Sequence, residues 1–446
     1  MARRMKVAIV GSGISGLAAA HTLDGHADIT LFEAGTWFGG HTHTVDVTLP
    51  TPQGPVTHGV DTGFLVFNER TYPRLIELFA ALGVETVKSD MSFSVQVPDA
   101  FRGGPLEWSG SSLNTVFAQR ANLWRPAFLR MLRDLLRFNK MATRSAQAGD
   151  ETGMLEPLGD FLRQHRFSDE FRDWYLLPMI GCIWSCPTDQ MLRFPVATLI
   201  RFCHNHGLLQ VADRPQWWTV AGGARNYVER IVSQVHDRRL NTPVRRVIRS
   251  ATGTSVVTDK GSERFDHVVM ATHPDQALAV LADVSAQEQE VLGAIRYQRN
   301  RAVLHVDTSV LPRNRSAWAA WNYESAGSSA GKGSQVCLHY LLNRLQPLPW
   351  SQPVLVSLNP LREIARNQIM GEYDYDHPVF DRAAIEAQAA VAQLQGQRRT
   401  WFCGAWTGYG FHEDGLKAGQ RVGRTLLNDA HAEQDIDAGA MLEAVA

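Results

Sequence analysis

The chain has 446 residues, 44% of them hydrophobic and 20% charged, with a formal net charge of −1. That length predicts two domains, the composition is that of a water-soluble globular protein, and the balanced charge argues against nucleic acid as a partner. No run reaches the roughly 18 uninterrupted apolar residues that cross a bilayer, and five cysteines (Cys182, Cys186, Cys203, Cys337, Cys403) fit neither a metal-binding run nor a secreted disulfide framework, so a cytoplasmic protein is expected.

Met1-Ala-Arg-Arg ahead of an apolar run imitates a secretory signal, but the run reads better as a buried strand entering a glycine turn. Lys6-Val-Ala-Ile-Val10 is that strand, and Gly11-Ser12-Gly13-Ile14-Ser15-Gly16 is the turn, followed by the helix-forming Leu17-Ala-Ala-Ala20. Gly11 permits the tight turn, Gly13 lets the backbone approach a pyrophosphate, and Gly16 lets helix and strand pack closely. The pyrophosphate would sit at the helix amino terminus, where free N–H groups favour negative charge. A second strand, Asp28-Ile-Thr-Leu-Phe-Glu33, ends in an acid 20 residues after Gly13, the separation of a carboxylate that binds ribose hydroxyls. Ordinary glycine turns are common, so the signal lies in the complete strand–turn–helix–strand–acid context.

The residues after that acid, Glu33-Ala34-Gly-Thr-Trp37-Phe-Gly39-Gly40-His41-Thr42-His43-Thr44, resemble the second fingerprint of the flavin amine oxidase and phytoene desaturase superfamily. The resemblance implies FAD as cofactor, with Gly39 and Gly40 running close to the flavin and its phosphates. Ala34, His41, Thr42 and Thr44 fall in the same contact segment. Trp37 and His41 stand where the family usually has arginines, which leaves open how the pyrophosphate charge is balanced. Later pieces resemble further cofactor segments: Val60-Asp-Thr-Gly63, Trp218-Thr-Val-Ala-Gly222-Gly223, the strand beginning at Val244, Asp266-His-Val-Val-Met-Ala271, and Trp401-Phe-Cys-Gly404-Ala405. Gly408-Tyr-Gly-Phe-His412-Glu413-Asp414-Gly415-Leu416-Lys-Ala-Gly419 leads into a final helix, with Asp414 as its expected N-cap. The family places an acid where this chain has Ala405, so Glu413 or Asp414 is expected to supply the ribityl contact, with Leu416 beside them.

The implied fold is α/β: a Rossmann-like FAD-binding domain built from the discontinuous segments 1–86, 215–274 and 399–430, plus an α+β substrate domain formed by 87–214 and 275–398, in an amine-oxidase-like two-domain architecture, with 431–446 as a tail. Leu177-Pro-Met-Ile-Gly-Cys-Ile-Trp184, His204-Asn-His-Gly207 and Gly410 to Gly415 look like a bacterial branch associated with cyclopropane and methylated fatty acid metabolism.

In the substrate half, Arg120 to Arg144 carries seven Arg or Lys residues against one Asp. Phe128, Leu129, Met131, Leu132, Leu135, Leu136 and Phe138 recur at helical spacing with Arg130, Arg133, Arg137 and Lys140 interleaved. Such a helix either lies on an anionic membrane surface, making the protein peripheral on the inner face of the membrane, or packs with a solvated basic face. The pairs His41/His43 and His204/His206 have the spacing of metal ligands on a strand but no carboxylate or cysteine partner at ligand distance, and no metal is expected. Gly327-Ser-Ser-Ala-Gly-Lys332-Gly lacks the spacing of a phosphate loop and reads as a turn. Trp174, Trp184, Trp217, Trp218, Trp318, Trp321 and Tyr340 offer aromatic surface for the core and for an apolar pocket.

The expected activity is that of an FAD-dependent dehydrogenase or desaturase taking an apolar small molecule or lipid, such as a methylated fatty acyl chain. His43 and His412 are the candidates for the base that such chemistry needs, or else hydrogen-bond the cofactor. An amine oxidase and a flavin-bound partner of a lipid-modifying enzyme are the alternatives.

Overall fold

The computed structural model describes residues 4–102, 104–149, 156–184, 187–210, 214–326 and 336–443, with side chains to 429. Gly327 to Gly333 and Cys186 lie outside the described residues. Val7, Ala8 and Ile9 are wholly buried, and their strand, β1 (Met5–Val10), is the middle of a five-stranded sheet. Across that sheet run Asp237–Arg239, β2 (Ala27–Phe32), β1, His267–Met270 and Thr400–Phe402. Every pairing is parallel, and the strands come from three separated parts of the chain. A sheet of this kind is covered on both faces, which is why its inner strands are largely apolar rather than alternating, while the edge strand Asp237–Arg239 is charged.

Helix α1 (Ile14–Leu23) connects β1 to β2 and is buried nearly all round. The carboxyl-terminal helix, His412–Glu443, lies directly on it. A Cβ at Gly415 would come within 2.6 Å of Ile14 Cγ2, at Gly419 within 2.1 Å of Ser15 O, and at Gly423 within 2.8 Å of Thr22 Cβ. The four-residue spacing puts all three glycines on one helix face, so the two backbones meet closely. This helix runs past residue 430 without a break, so no separate tail begins there.

Three of the expected boundaries move. The helices Pro274–Val280, Ala286–Gly293 and Arg382–Ala390 place Ala277, Leu292 and Ala384 in one core with Ala8, Val10, Phe32 and Val268. They therefore cover the nucleotide sheet instead of joining the substrate domain. The strand Thr86–Ser89 also straddles the boundary at residue 86, pairing with Trp217–Val220. Helical periodicity reveals an apolar face but not which sheet it meets.

The substrate domain is built on a seven-stranded mixed sheet in the order Ile369–Asp374, Arg301–His305, Leu355–Leu358, Cys337–Leu341, Trp321–Glu324, Phe93–Phe101, Gly104–Ser109. The basic segment resolves into a short 3-10 turn, Arg120–Trp124, and a helix, Pro126–Ala148. Proline suits a first helical position because its missing N–H would have had no partner there. Phe128, Met131, Phe138 and Ala142 form the helix's inward face. Among the described residues, no helix is long and apolar enough to cross a membrane.

Candidate active site

The glycine turn is held in shape by the acid that follows β2. Gly11 has φ +101° and donates its N–H to Phe32 O at 2.9 Å; a Cβ there would lie 2.6 Å from Ala271 O. Glu33 Oε2 accepts from Ser12 N at 3.0 Å and Ser12 Oγ at 2.5 Å, while Oε1 accepts from Gly35 N at 2.7 Å. Gly39 N donates to Ser12 O and Oγ, both at 3.1 Å. The second glycine pair thus lies against the first turn, with a Cβ at Gly40 only 3.1 Å from Gly13 Cα.

These features fit a dinucleotide. Gly13 begins α1 with no side-chain cap, leaving amide hydrogens for an anion. A Cβ at Gly13 would meet nothing within 4 Å, so the space beside the helix terminus is open. The carboxylate of Glu33 stands at its edge.

His41 contributes something other than the arginine it replaces. Its Nε2 is buried without a protein partner, and its ring lies 5.1 Å from Tyr375, 5.6 Å from His377 and 6.4 Å from His273. Burial lowers the pKa of His41, and carries His273 and His377 down to about 3. At neutral pH the cluster is uncharged and offers hydrogen bonds instead of a cation.

The two histidines expected to act as bases occupy separate tyrosine-linked networks. Nε2 of His412 is 2.6 Å from Tyr227 OH and 3.3 Å from Thr42 Oγ1, and Thr42 Oγ1 is itself 2.6 Å from Tyr227 OH. The His412 ring stacks on Phe64 at 3.8 Å. Nδ1 of His43 is 3.0 Å from Tyr375 OH and 3.3 Å from Thr62 Oγ1, and its ring stacks on Trp37 at 3.9 Å. Desolvation takes His412 to about 3 and His43 to about 4, so burial favours the neutral form of both imidazoles. Tyr375 had no marker in the sequence, because its partners lie far along the chain.

Several residues expected near the cofactor make bonds or close contacts within the protein. Thr44 Oγ1 donates to Asp61 Oδ1 at 2.5 Å and accepts from Arg225 N at 2.9 Å, which ties the Gly222–Gly223 turn to the second fingerprint. Asp61 is buried beneath it, accepts from Ala224 N and Gln346 Nε2, and is pushed up to about 6 by desolvation. Glu413 accepts from Arg74 N at 3.1 Å and Leu75 N at 3.0 Å, capping the helix Pro73–Leu82 rather than offering a free carboxylate for the ribityl chain. Asp414 is the third residue of its helix rather than the N-cap; its Oδ2 reaches back to Phe411 N at 3.0 Å and Tyr409 N at 3.1 Å. Leu416 is wholly buried in the core. Gly404 starts a tight turn in which a Cβ would lie 2.0 Å from Trp406 Nε1. Val244 opens the antiparallel strand Val244–Ser250 next to a register shift.

In front of the carboxyl-terminal helix stands an aromatic wall. Phe411 stacks on Phe202 at 5.1 Å, Trp184 lies 4.7 Å from Phe202, and Trp184 Nε1 donates to Tyr409 O at 3.3 Å. His206 stacks on Phe202 at 3.9 Å and is lowered to about 4 by burial. Among the described residues, groups of metal-ligand type converge at Glu324, Cys337 and His339 in the substrate-domain sheet. His339 Nε2 is 3.0 Å from Glu324 Oε2 there, and its Nδ1 is 2.6 Å from Ser357 Oγ.

A parallel sheet, a glycine turn opening α1 and a ribose-type acid define a dinucleotide-binding protein of two-domain flavoprotein architecture. The sequence pattern of the family described as flavin containing amine oxidoreductase matches residues 14–312, and the chain belongs to that family. Membership brings FAD as the cofactor. The chain is similar to the proposed flavin-containing monoamine oxidase AofH of Mycobacterium tuberculosis, 26% identical over 286 residues, which span 62% of this chain and 59% of that protein. Its fold is similar to cyclohexylamine oxidase from Brevibacterium oxydans, with a TM-score of 0.66 and 17% identity over 96% of this chain and 100% of the other. A fatty acid isomerase from P. acnes that produces CLA aligns with a TM-score of 0.65 and 15% identity over 94% and 97%.

Proposed function

We propose that the chain is an FAD-dependent dehydrogenase or desaturase of an apolar substrate, with the fatty acyl chain of a phospholipid, methylated chains included, as the substrate class. The observation that carries this reading is the apolar aromatic cluster of Trp184, Phe202, Tyr409 and Phe411, bordered by neutral His206 and placed next to the start of the carboxyl-terminal helix. Glu413 accepts backbone amides with both carboxylate oxygens and Asp414 with Oδ2, whereas one buried carboxylate oxygen of Asp376 has no protein partner, so the choice between amine and alkyl substrates is made by the experiment below. An alkyl chain asks only for desolvated, shape-filling surface.

FAD, when bound, supplies the hydride acceptor. The protein's part is to fix the reacting carbon, exclude water and hold the proton released from its neighbour. Held against Tyr227 at 2.6 Å, His412 can accept a hydrogen bond or a proton at one ring nitrogen while Phe64 fixes the ring plane. His43 has the same relation to Tyr375. A base lowered to about 3 or 4 is weak, at about 1.4 kcal/mol for each unit below the optimum. Replacing each histidine with alanine should abolish turnover while leaving FAD bound; turnover retained in both would remove these assignments.

An amine oxidase is the second reading, favoured by the family and by the relative's name. Anaerobic reduction of the bound flavin by methylated, unsaturated and plain phospholipids, with amines alongside, separates the two. Bleaching by a lipid supports the proposal, and bleaching by amines alone overturns it. Silence across the panel directs attention to an isomerase, or to a flavin-bound partner of a lipid-modifying enzyme.

A further inference from the structure

Among the described residues, seven large hydrophobic side chains are exposed, and five of them, Leu113, Leu123, Trp124, Leu129 and Leu136, fall within one short stretch of chain. Trp124 is 85% exposed and Leu113 80%, values that large apolar side chains rarely reach singly, let alone together. They belong to three consecutive elements: the capped turn Leu113–Val116, the 3-10 turn Arg120–Trp124 and the basic helix Pro126–Ala148. Arg120 links the first two through Asn114 Oδ1 at 2.5 Å.

The basic helix has a buried side and an outer side of quite different character. With Phe128, Met131, Phe138 and Ala142 turned inward, the opposite stripe reads Leu129, Arg133, Leu136, Lys140, Arg144, all exposed. Their spacing of three or four residues stacks them along one line, about 16 Å from Leu129 to Lys140 at 1.5 Å per residue. Leucine and cation alternate along it. That pattern differs from the solvated basic face of an ordinary packed helix, which would carry polar residues where Leu129 and Leu136 stand.

Charge is concentrated on the same surface. Six cations are exposed between Arg120 and Arg144, namely Arg120, Arg130, Arg133, Arg137, Lys140 and Arg144. Buried Asp134 and the Glu170 carboxylate are their acidic neighbours. Six positive charges less those two leaves a net +4 on one surface of a chain whose total is −1. Exposed leucines and a tryptophan, set among cations, match the boundary of an anionic bilayer, where apolar side chains enter the acyl layer and cations meet headgroup phosphates.

We propose that Leu113–Arg144 is a membrane-docking surface, seating the protein peripherally on an anionic lipid bilayer through Trp124, Leu129 and Leu136 with Arg133 and Lys140 at the headgroups. Docking of this kind needs no turnover and stands whether or not a lipid is the substrate. It is measured on the full-length, FAD-loaded protein by co-sedimentation with vesicles of phosphatidylcholine alone and of phosphatidylcholine with roughly a third phosphatidylglycerol. Wild type should sediment with the anionic vesicles and stay in solution with the neutral ones. Lys140→Glu with Arg144→Glu should weaken that partition at least tenfold, since each cation near an anionic surface is worth a factor of roughly five. Trp124→Ser with Leu136→Ser should also weaken it, through lost insertion. All four side chains are exposed, so thermal unfolding and the flavin spectrum should match wild type in both variants. Equal partition onto both vesicle types, or variants that bind as wild type does, would overturn the proposal. A concentration-dependent dimer that Leu136→Ser dissociates, with no vesicle binding, would assign the surface to a second copy of the chain instead.

Discussion

Replacing Glu413 with alanine separates a structural carboxylate from a cofactor contact. The helix Pro73–Leu82 has no side-chain cap of its own at Tyr72, and Glu413, from the carboxyl-terminal helix, takes that place with bonds to Arg74 N and Leu75 N. Leu75 is wholly buried, so its amide has no water to turn to, and losing a charge-assisted acceptor there costs about 1.5–3 kcal/mol. Arg74 N is nearer solvent and loses about 1 kcal/mol, with a similar or smaller amount from the removed charge at the helix terminus. The ion pair to Lys417, whose side chain is 46% exposed, adds little. The sum is about 3–5 kcal/mol. Urea unfolding followed by tryptophan fluorescence should show this loss in the alanine variant and roughly half of it in Glu413→Gln, which keeps one acceptor. Amide exchange should accelerate selectively in Pro73–Leu82, and FAD affinity of the glutamine variant should stay within about threefold of wild type, since no bond to the cofactor is removed. A stability loss under about 1 kcal/mol, or a large drop in FAD affinity at unchanged stability, would refute the capping role.

Gly13→Ala should fold as wild type, because φ is −62° there and a Cβ meets nothing within 4 Å. FAD titration should nonetheless show at least about tenfold weaker binding where the methyl meets the pyrophosphate. Gly419→Val, by contrast, drives a side chain into Ser15 O, 2.1 Å from the Cβ position, and should yield protein with a low flavin-to-protein ratio and a lowered unfolding temperature. Burial keeps His43, His206, His273, His305, His377 and His412 neutral, with values down to about 3 or 4. A histidine lowered on folding stabilises fully above its unfolded value of about 6.5 and loses that contribution as pH falls toward the folded value. The FAD-free protein should therefore weaken steadily from about pH 6.5 to 4, outweighing Asp61 and Asp414, which at about 6 act oppositely. A urea midpoint that rises on acidification would contradict this. His339 is raised to about 9 by neighbouring Cys337 and Glu324, against the lowering effect of its burial; its contribution is present below about 6.5 and fades as pH rises through 9, and His339→Gln should flatten the alkaline limb of the same curve.

The nucleotide unit was legible because its rules are local. Strands expected at 6–10 and 28–33 appear as Met5–Val10 and Ala27–Phe32, and the turn between them is dictated by residues in direct succession. The return of the chain through His267–Met270 and Thr400–Phe402 could be expected from family resemblance, not from periodicity. Side-chain partners were another matter. Glu413 looks like any acid at a helix start, yet its bonds reach across 338 and 339 positions. Tyr375 meets His43 across 332. The first pairing arises when separated segments of the nucleotide-binding domain meet, the second when that domain meets the segment carrying Tyr375. His43 and His412 were singled out for their chemistry, but the burial that sets their basicity is a property of the packed surroundings.

The glycine seam between α1 and the carboxyl-terminal helix has a consequence for how the protein is made. Ribosomes add about 5–20 residues per second, so β1 and α1 emerge well before the strand Thr400–Phe402 and the glycines at 415, 419 and 423. Throughout that interval His267–Met270 has an unpaired edge and α1 has a bare apolar flank, both invitations to aggregation. The nucleotide unit closes only when its last strand and helix are delivered. The complete nucleotide-binding unit exists only from that point on.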